Sequence, residues 1–197
     1  NMFAAIPGVK VVVPSNPYDA KGLLMSAIQE DNLVVFSEDK TLLGQKGNVP
    51  EEPYTIEIGK ANVTREGDDL TIVAIGKMVA VAEETAEKLA EDQVSVEVID
   101  LRSVSPWDQE TVLDSVKKTG RLIVIDESNP QCNIAGDVAS VIGDVGFDYL
   151  DGPIKKVTAP DTPVPFAANL EAAYMPNADK VLNIASELID DLKKANA

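Results

Sequence analysis

The 197-residue chain reads as an α/β protein with a mostly parallel sheet flanked by helices, and three observations lead there. Near-continuous apolar runs such as Val9 to Val13 and Leu70 to Ile75 suit strands covered on both faces. Between such runs lie longer stretches with apolar residues at helical spacing. The two signals alternate along most of the chain, the pattern that right-handed crossovers and a parallel sheet require. No internal repeat or low-complexity segment interrupts it.

Val9 to Val13 ends at Pro14 and predicts the first strand. Asn16 is a natural N-cap, Pro17 suits the first helical position, and Asp19 brings negative charge to the first turn. Ala20, Leu23, Leu24, Ala27 and Ile28 then define an expected buried stripe, and Leu33 to Phe36 a returning strand. From Thr41 to Tyr54 the polar composition, punctuated by Gly44, Gly47, Pro50 and Pro53, predicts a linker. Strands follow at Leu70 to Ile75, Val94 to Leu101, Arg121 to Ile125 and Ile154 to Val157. Helices are predicted at about Lys77 to Asp92, Gln109 to Lys118, Ile134 to Ile142 and Ala178 to Lys194. In the first of these, Met78, Val81, Ala82, Thr85 and Leu89 form the inner face.

Composition removes several function classes. A formal charge of −16 opposes nucleic acid and anionic membranes, whose binders usually carry a basic face. No apolar run approaches bilayer length. One cysteine excludes an internal disulfide and fits a reducing compartment, so the expected location is cytoplasmic. There is no histidine, which excludes serine–histidine and cysteine–histidine pairs and zinc held by cysteine and histidine.

Ligands of doubly wound sheets favour loops at the carboxyl ends of strands. Three such loops stand out: Gly76–Lys77, Arg102–Ser105 and Asp126–Asn133. The first has no dinucleotide fingerprint, and its glycine reads as a turn residue. Asp126 and Glu127 could act as acid–base carboxylates or metal ligands, but more often such a pair caps the following helix. Arg102 could clamp an anion or pair with Asp100 or Asp108 as structure. Cys132, near a helix start, reads as a buried inert thiol. Pro160-Asp-Thr-Pro-Val-Pro-Phe166 predicts an extended segment suited to an interface.

The runs IPGVKVVVPSNPYDAKGLLMSAIQEDNLVVF, IDLRSVSPWD, GRLIVIDE and TPVPFAANLE resemble the β subunits of thiamine-diphosphate-dependent 2-oxo acid dehydrogenases. NMFAAIPG and NPQCNIAGDV lean towards the acetoin dehydrogenase branch. The resemblance implies a strand–helix–strand remnant of a pyrimidine-binding domain over 1–40 and a linker over 41–58. A transketolase C-terminal-like domain over 59–197 would follow. It also implies that the intact enzyme cleaves a carbon–carbon bond beside a carbonyl and passes the acyl group to a lipoyl arm.

On this resemblance the activating glutamate and a histidine belong upstream of Asn1. The motif holding thiamine diphosphate and magnesium belongs to the partner α subunit. No catalytic or cofactor-binding residue is therefore assigned here, and the chain alone is expected to be inactive. The expected remnant should pair its two strands with each other, apart from the main sheet, and expose an edge. A potassium loop carries over to Ala27, Ile28, Glu30 and Asn32, where unsatisfied carbonyls at a helix end can collect a cation. Implied partners are the α subunit, a second β subunit and the basic subunit-binding domain of an acyltransferase core. Glu187, Asp190 and Asp191 are the expected docking carboxylates for that domain. The alternatives are a stand-alone binding or assembly module and a piece of another transketolase-type enzyme.

Overall fold

The structure is a computed structural model that describes residues 1–195, with side chains described through Ile189. The chain runs β1 (Lys10–Val12), α1 (Pro17–Gln29), β2 (Val34–Phe36), β3 (Asn62–Arg65), β4 (Leu70–Ala74), α2 (Met78–Glu91) and β5 (Val96–Asp100). It continues with β6 (Ser103–Ser105), α3 (Gln109–Thr119), β7 (Leu122–Ile125), α4 (Ile134–Val145), β8 (Lys155–Val157), α5 (Ala168–Tyr174) and α6 (Ala178–Ala195). Five strands form the main sheet in the order β3-β5-β4-β7-β8, parallel except for the antiparallel edge strand β3.

Both faces of this sheet are covered, which explains the unbroken apolar runs. Leu70, Ile72 and Ala74 of β4 pack with α2 and α6 on one side. Val73 and Ile75 join Val112 and Val116 of α3 and Val138 and Ile142 of α4 on the other. Thr71 also lies among the α3 residues, and its hydroxyl is satisfied there by Ser115 at 2.6 Å and Thr119 at 2.7 Å. A buried hydroxyl without such partners would be destabilising. In α6, Val181, Ala185 and Leu188 are the buried stripe.

The first forty residues build as predicted, with two differences. Asn16 accepts from the Asp19 amide at 2.9 Å and donates to the Asp19 carboxylate at 2.7 Å, so α1 starts where its sequence signals place it. β1 and β2 pair in parallel in a sheet separate from the main one. Among the described strands β2 leaves its outer edge unpaired, as expected, but the far side of β1 is covered. Residues 103–105, read from sequence as a loop, form β6 and pair antiparallel with β1.

The buried stripe of α1 also differs. Leu23 is fully buried, but Leu24 and Ile28 are 45% and 71% exposed. The covered face is instead Asp19, Gly22 and Leu23, because the linker docks there. Ile56 donates its amide to the Gly22 carbonyl at 3.2 Å, and Ser26 donates its hydroxyl to the Ile56 carbonyl at 2.5 Å. Tyr54 stacks on Tyr18 at 4.6 Å between centroids. A Cβ on Gly22 would come within 2.6 Å of the Ile56 side chain, so a larger residue would have to displace Ile56 and Tyr54. The segment predicted as a spacer is therefore a strap held on α1. β3 and α5 were likewise missed: β3 is short and half-buried, and α5 is a two-turn helix with little apolar periodicity.

Candidate functional site

The two units meet through a small buried polar network at the carboxyl ends of β1 and β5. Asp100 closes β5 and is wholly buried. Ser15, in the loop after β1, donates its hydroxyl to Asp100, and the Arg102 amide donates to the same carboxylate at 2.9 Å. Burial pushes the Asp100 carboxyl up to about 6; the two hydrogen bonds and the Arg102 charge pull against this, while Asp19 adds to it. The Arg102 guanidinium reaches Asp19 of α1 at 2.6 Å, and that carboxylate is only 1% exposed. The Arg102 carbonyl also accepts from the Val13 amide at 2.8 Å. Arg102 holds a left-handed backbone (φ 57°), uncommon for a residue with a side chain. That geometry turns the chain from β5 into β6 and directs the Arg102 side chain to α1.

Of the two structural pairings considered for Arg102, neither is its ion pair. Its guanidinium binds Asp19, 83 residues away in sequence, a contact without local signal. Asp108 instead caps α3 by accepting from the Thr111 amide at 3.2 Å, and also accepts from the Ala61 amide at 3.1 Å. Burial disfavours its anion, but the Thr111 and Ala61 hydrogen bonds and the Lys60 charge prevail and lower its pKa.

Beside this clamp lies a crevice of about 370 Å3 framed by the carboxyl ends of β1, β2, β4 and β7. It brings together residues of all three predicted loops, Gly76–Lys77, Val104 and Asp126–Ser128, with Glu38 and Asp39 from the loop after β2. Asp126 does not cap α4, contrary to the commoner sequence reading. Its Oδ1 accepts from the Ser128 amide at 2.9 Å and the Ser128 hydroxyl at 2.5 Å, a local turn. Asn133 is the cap, accepting from the Gly136 amide at 2.8 Å. The second oxygen of Asp126 is buried without a hydrogen-bond partner. Glu127 is exposed overall, but partial desolvation of its carboxyl at the crevice raises its pKa, and the negative charges of Asp39 and Asp126 add to the effect while Lys77 opposes it. Asp39 goes the other way: burial disfavours its anion, but the Thr41 hydroxyl and amide and the Lys77 charge lower it overall.

The remaining sequence-predicted residues are dispersed. Cys132 is exposed rather than buried, in a left-handed turn immediately before the α4 cap. Ala27 and Glu30 are half-buried at the end of α1, while Ile28 and Asn32 are exposed. Glu30 forms an ion pair with Lys10 at 2.6 Å. Glu187 is exposed on α6; the side chains of Asp190 and Asp191 lie outside the described residues. In the proline-rich segment Val164 and Phe166 are exposed, and Asn129 donates to the Pro160 and Thr162 carbonyls at 2.9 and 3.3 Å.

The residues of the crevice do not fit the diphosphate of thiamine diphosphate. Among the described residues no three aspartate, glutamate, cysteine or histidine side chains converge to hold a metal ion. The crevice carries carboxylates where a diphosphate would need donors and positive charge. No described helix is long and apolar enough to cross a membrane.

The fold is thus a doubly wound α/β domain carrying a docked βαβ unit. Residues 59–181 match the family model described as transketolase, C-terminal domain, and residues 1–46 match transketolase, pyrimidine binding domain. The chain belongs to the transketolase C-terminal domain family. It is 53% identical over 190 residues to the acetoin:2,6-dichlorophenolindophenol oxidoreductase subunit beta of Bacillus subtilis, covering 96% of this chain and 56% of that protein. The subunit of the same name from Cupriavidus necator is 48% identical, over 91% of this chain and 53% of its own. The pyruvate dehydrogenase E1 component subunit beta of Bacillus subtilis is 47% identical, over 96% and 58%. Among solved structures, a split gene transketolase described as an inactive beta4 tetramer superposes with a TM-score of 0.81 at 25% identity, covering 96% of this chain and 60% of that one. The chain thus spans just over half the length of the curated relatives it matches.

Proposed function

We propose that the chain is the C-terminal part of the β subunit of a thiamine-diphosphate-dependent acetoin or 2-oxo acid dehydrogenase in the cytoplasm. The observation that most supports this is the 53% identity across 96% of the chain, with both family models matched in the expected order. On this reading residues 1–40 end the pyrimidine-binding domain, 41–58 strap it, and 59–197 form the C-terminal domain. The cofactor supplies carbanion-stabilising chemistry when bound elsewhere in the assembly. This chain contributes surfaces and rigid docking of its two units, and is inactive alone.

The proposed partners are an α subunit, a second β subunit and the basic subunit-binding domain of an acyltransferase core. The exposed Val164, Phe166 and Leu170 offer an apolar contact for a neighbouring subunit. Glu187, with Asp190 and Asp191, offers negative charge to the basic domain. We further assign a potassium ion to the loop of Ala27, Ile28, Glu30 and Asn32. Glu30 already pairs with Lys10, so the ligands there would be main-chain carbonyls at the end of α1. Thermal unfolding in potassium should lie above that in equal choline; identical midpoints would remove the assignment.

The deciding assay reads reduction of 2,6-dichlorophenolindophenol by the full-length subunit mixed with its α partner. Acetoin, pyruvate and branched-chain 2-oxo acids are compared. Turnover of acetoin above the 2-oxo acids is expected. No turnover of any, with the two subunits co-eluting and thiamine diphosphate and magnesium supplied, would overturn the proposal.

A further inference from the structure

At the joint between the two units, three ionisable side chains are shut away together: Asp100 of β5, Arg102 of the turn into β6, and Asp19 of α1. Ser15 after β1, Asn62 of β3 and Ala74 of β4 flank Asp100 and carry no charge. Two carboxylates therefore share one guanidinium. Arg102 Nη2 donates to Asp19 at 2.6 Å and its Nε is buried without an acceptor, so from Arg102 Asp100 receives only the main-chain amide.

With Asp100 protonated the cluster is neutral. With Asp100 ionised it holds one net negative charge away from water, which is costly. Water admitted between the units would relieve that charge. The contacts that part for it, Ser15 to Asp100 and Arg102 to Asp19, each join the β1–α1–β2 unit to the main domain. The pairing of β1 with β6 and the hydrogen bond from Val13 to Arg102 lie beside them, so β1 and α1 open as one piece.

We infer that this joint is a proton-controlled hinge: a proton on Asp100 keeps the β1–α1–β2 unit seated on the main domain, and its loss lets the joint open more often. The seated arrangement is the ground state on both sides of the transition, and the proton sets only the frequency of opening. Opening solvates Asp100 and returns its carboxyl from about 6 towards its ordinary 3.8. The closed joint thus binds the proton more tightly, and opening is suppressed at low pH.

The test is hydrogen exchange of the full chain from pH 5 to pH 7, corrected for the intrinsic rate and read on β1 and α1 against β4 and β7. Amides of β1 and α1 should be less protected than those of β4 and β7, and their opening equilibrium should rise about tenfold across the window. Asp100→Asn should abolish the rise. Asp19→Asn leaves one carboxylate to one guanidinium and should make the rise level off at lower pH, a displacement that a merely structural Asp19 would not give. Should that variant fail to fold, the parent and Asp100→Asn decide. Equal protection in the two sets of amides, a rise that persists in Asp100→Asn, or a transition unmoved or raised in folded Asp19→Asn would each overturn the hinge.

Discussion

Replacing Asp100 with asparagine tests the polar clamp between the two units. Asp100 is wholly buried and its carboxyl is pushed up to about 6 from an ordinary 3.8. At 1.36 kcal/mol per pK unit, this gap amounts to about 3 kcal/mol. The folded protein binds this proton more tightly than the unfolded chain does. Stability from Asp100 is therefore greatest below about pH 4, falls as pH rises to about 6, and stays low above that. The asparagine in Asp100→Asn cannot ionise, yet its amide oxygen still accepts from the Arg102 amide and its NH2 can donate to Ser15. Urea unfolding of both proteins should be measured from pH 4 to pH 7. The stability of Asp100→Asn relative to the parent should rise by about 2.4 kcal/mol across this window, the rest of the gap lying below pH 4. Other carboxyls, Glu127 among them, cancel in the difference. A difference that is flat with pH, or that falls, would refute the reasoning.

Arg102→Met keeps the aliphatic stem but leaves Asp19 buried without its cation. It should destabilise by about 3–5 kcal/mol in chemical unfolding and raise hydrogen exchange first in α1. A Cβ on Gly67 would collide with the Val96 and Glu97 backbone, so Gly67→Ala should lower the thermal midpoint by an overpacking effect of about 1–3 kcal/mol or more. Thr71→Val removes the hydroxyl shared by Ser115 and Thr119 and should lower urea-unfolding stability by about 1–3 kcal/mol.

Elements with dense local signals were legible in the sequence. The cap and proline that open α1, the inner face of α2, the span of α3, and the four parallel strands of the main sheet all stand within a few residues of expectation. β6 escaped because three residues, two of them serine, carry no strand periodicity and pair only because β1 lies alongside. The stripe of α1 was misplaced for a related reason. Apolar spacing marks a face able to be buried, whereas the linker, through Gly22 and Ile56, chose another. In the candidate site, the loops at strand ends were identified individually. Their convergence, the Arg102–Asp19 pair and the unpaired oxygen of Asp126 were not.

The sequence by itself determined the α/β class, the order of the parallel strands and of the longer helices, the excluded chemistries and the resemblance that led to the family. These depend on composition, on periodicity over a turn or two, and on contiguous residues. Only the tertiary structure decided that Ser15 meets Asp100, that Asp19 neutralises Arg102, and that the carboxyl ends of two sheets frame one acidic crevice. Each of these joins residues separated by tens of positions. Their contact is set by sheet order and burial, which no local pattern encodes.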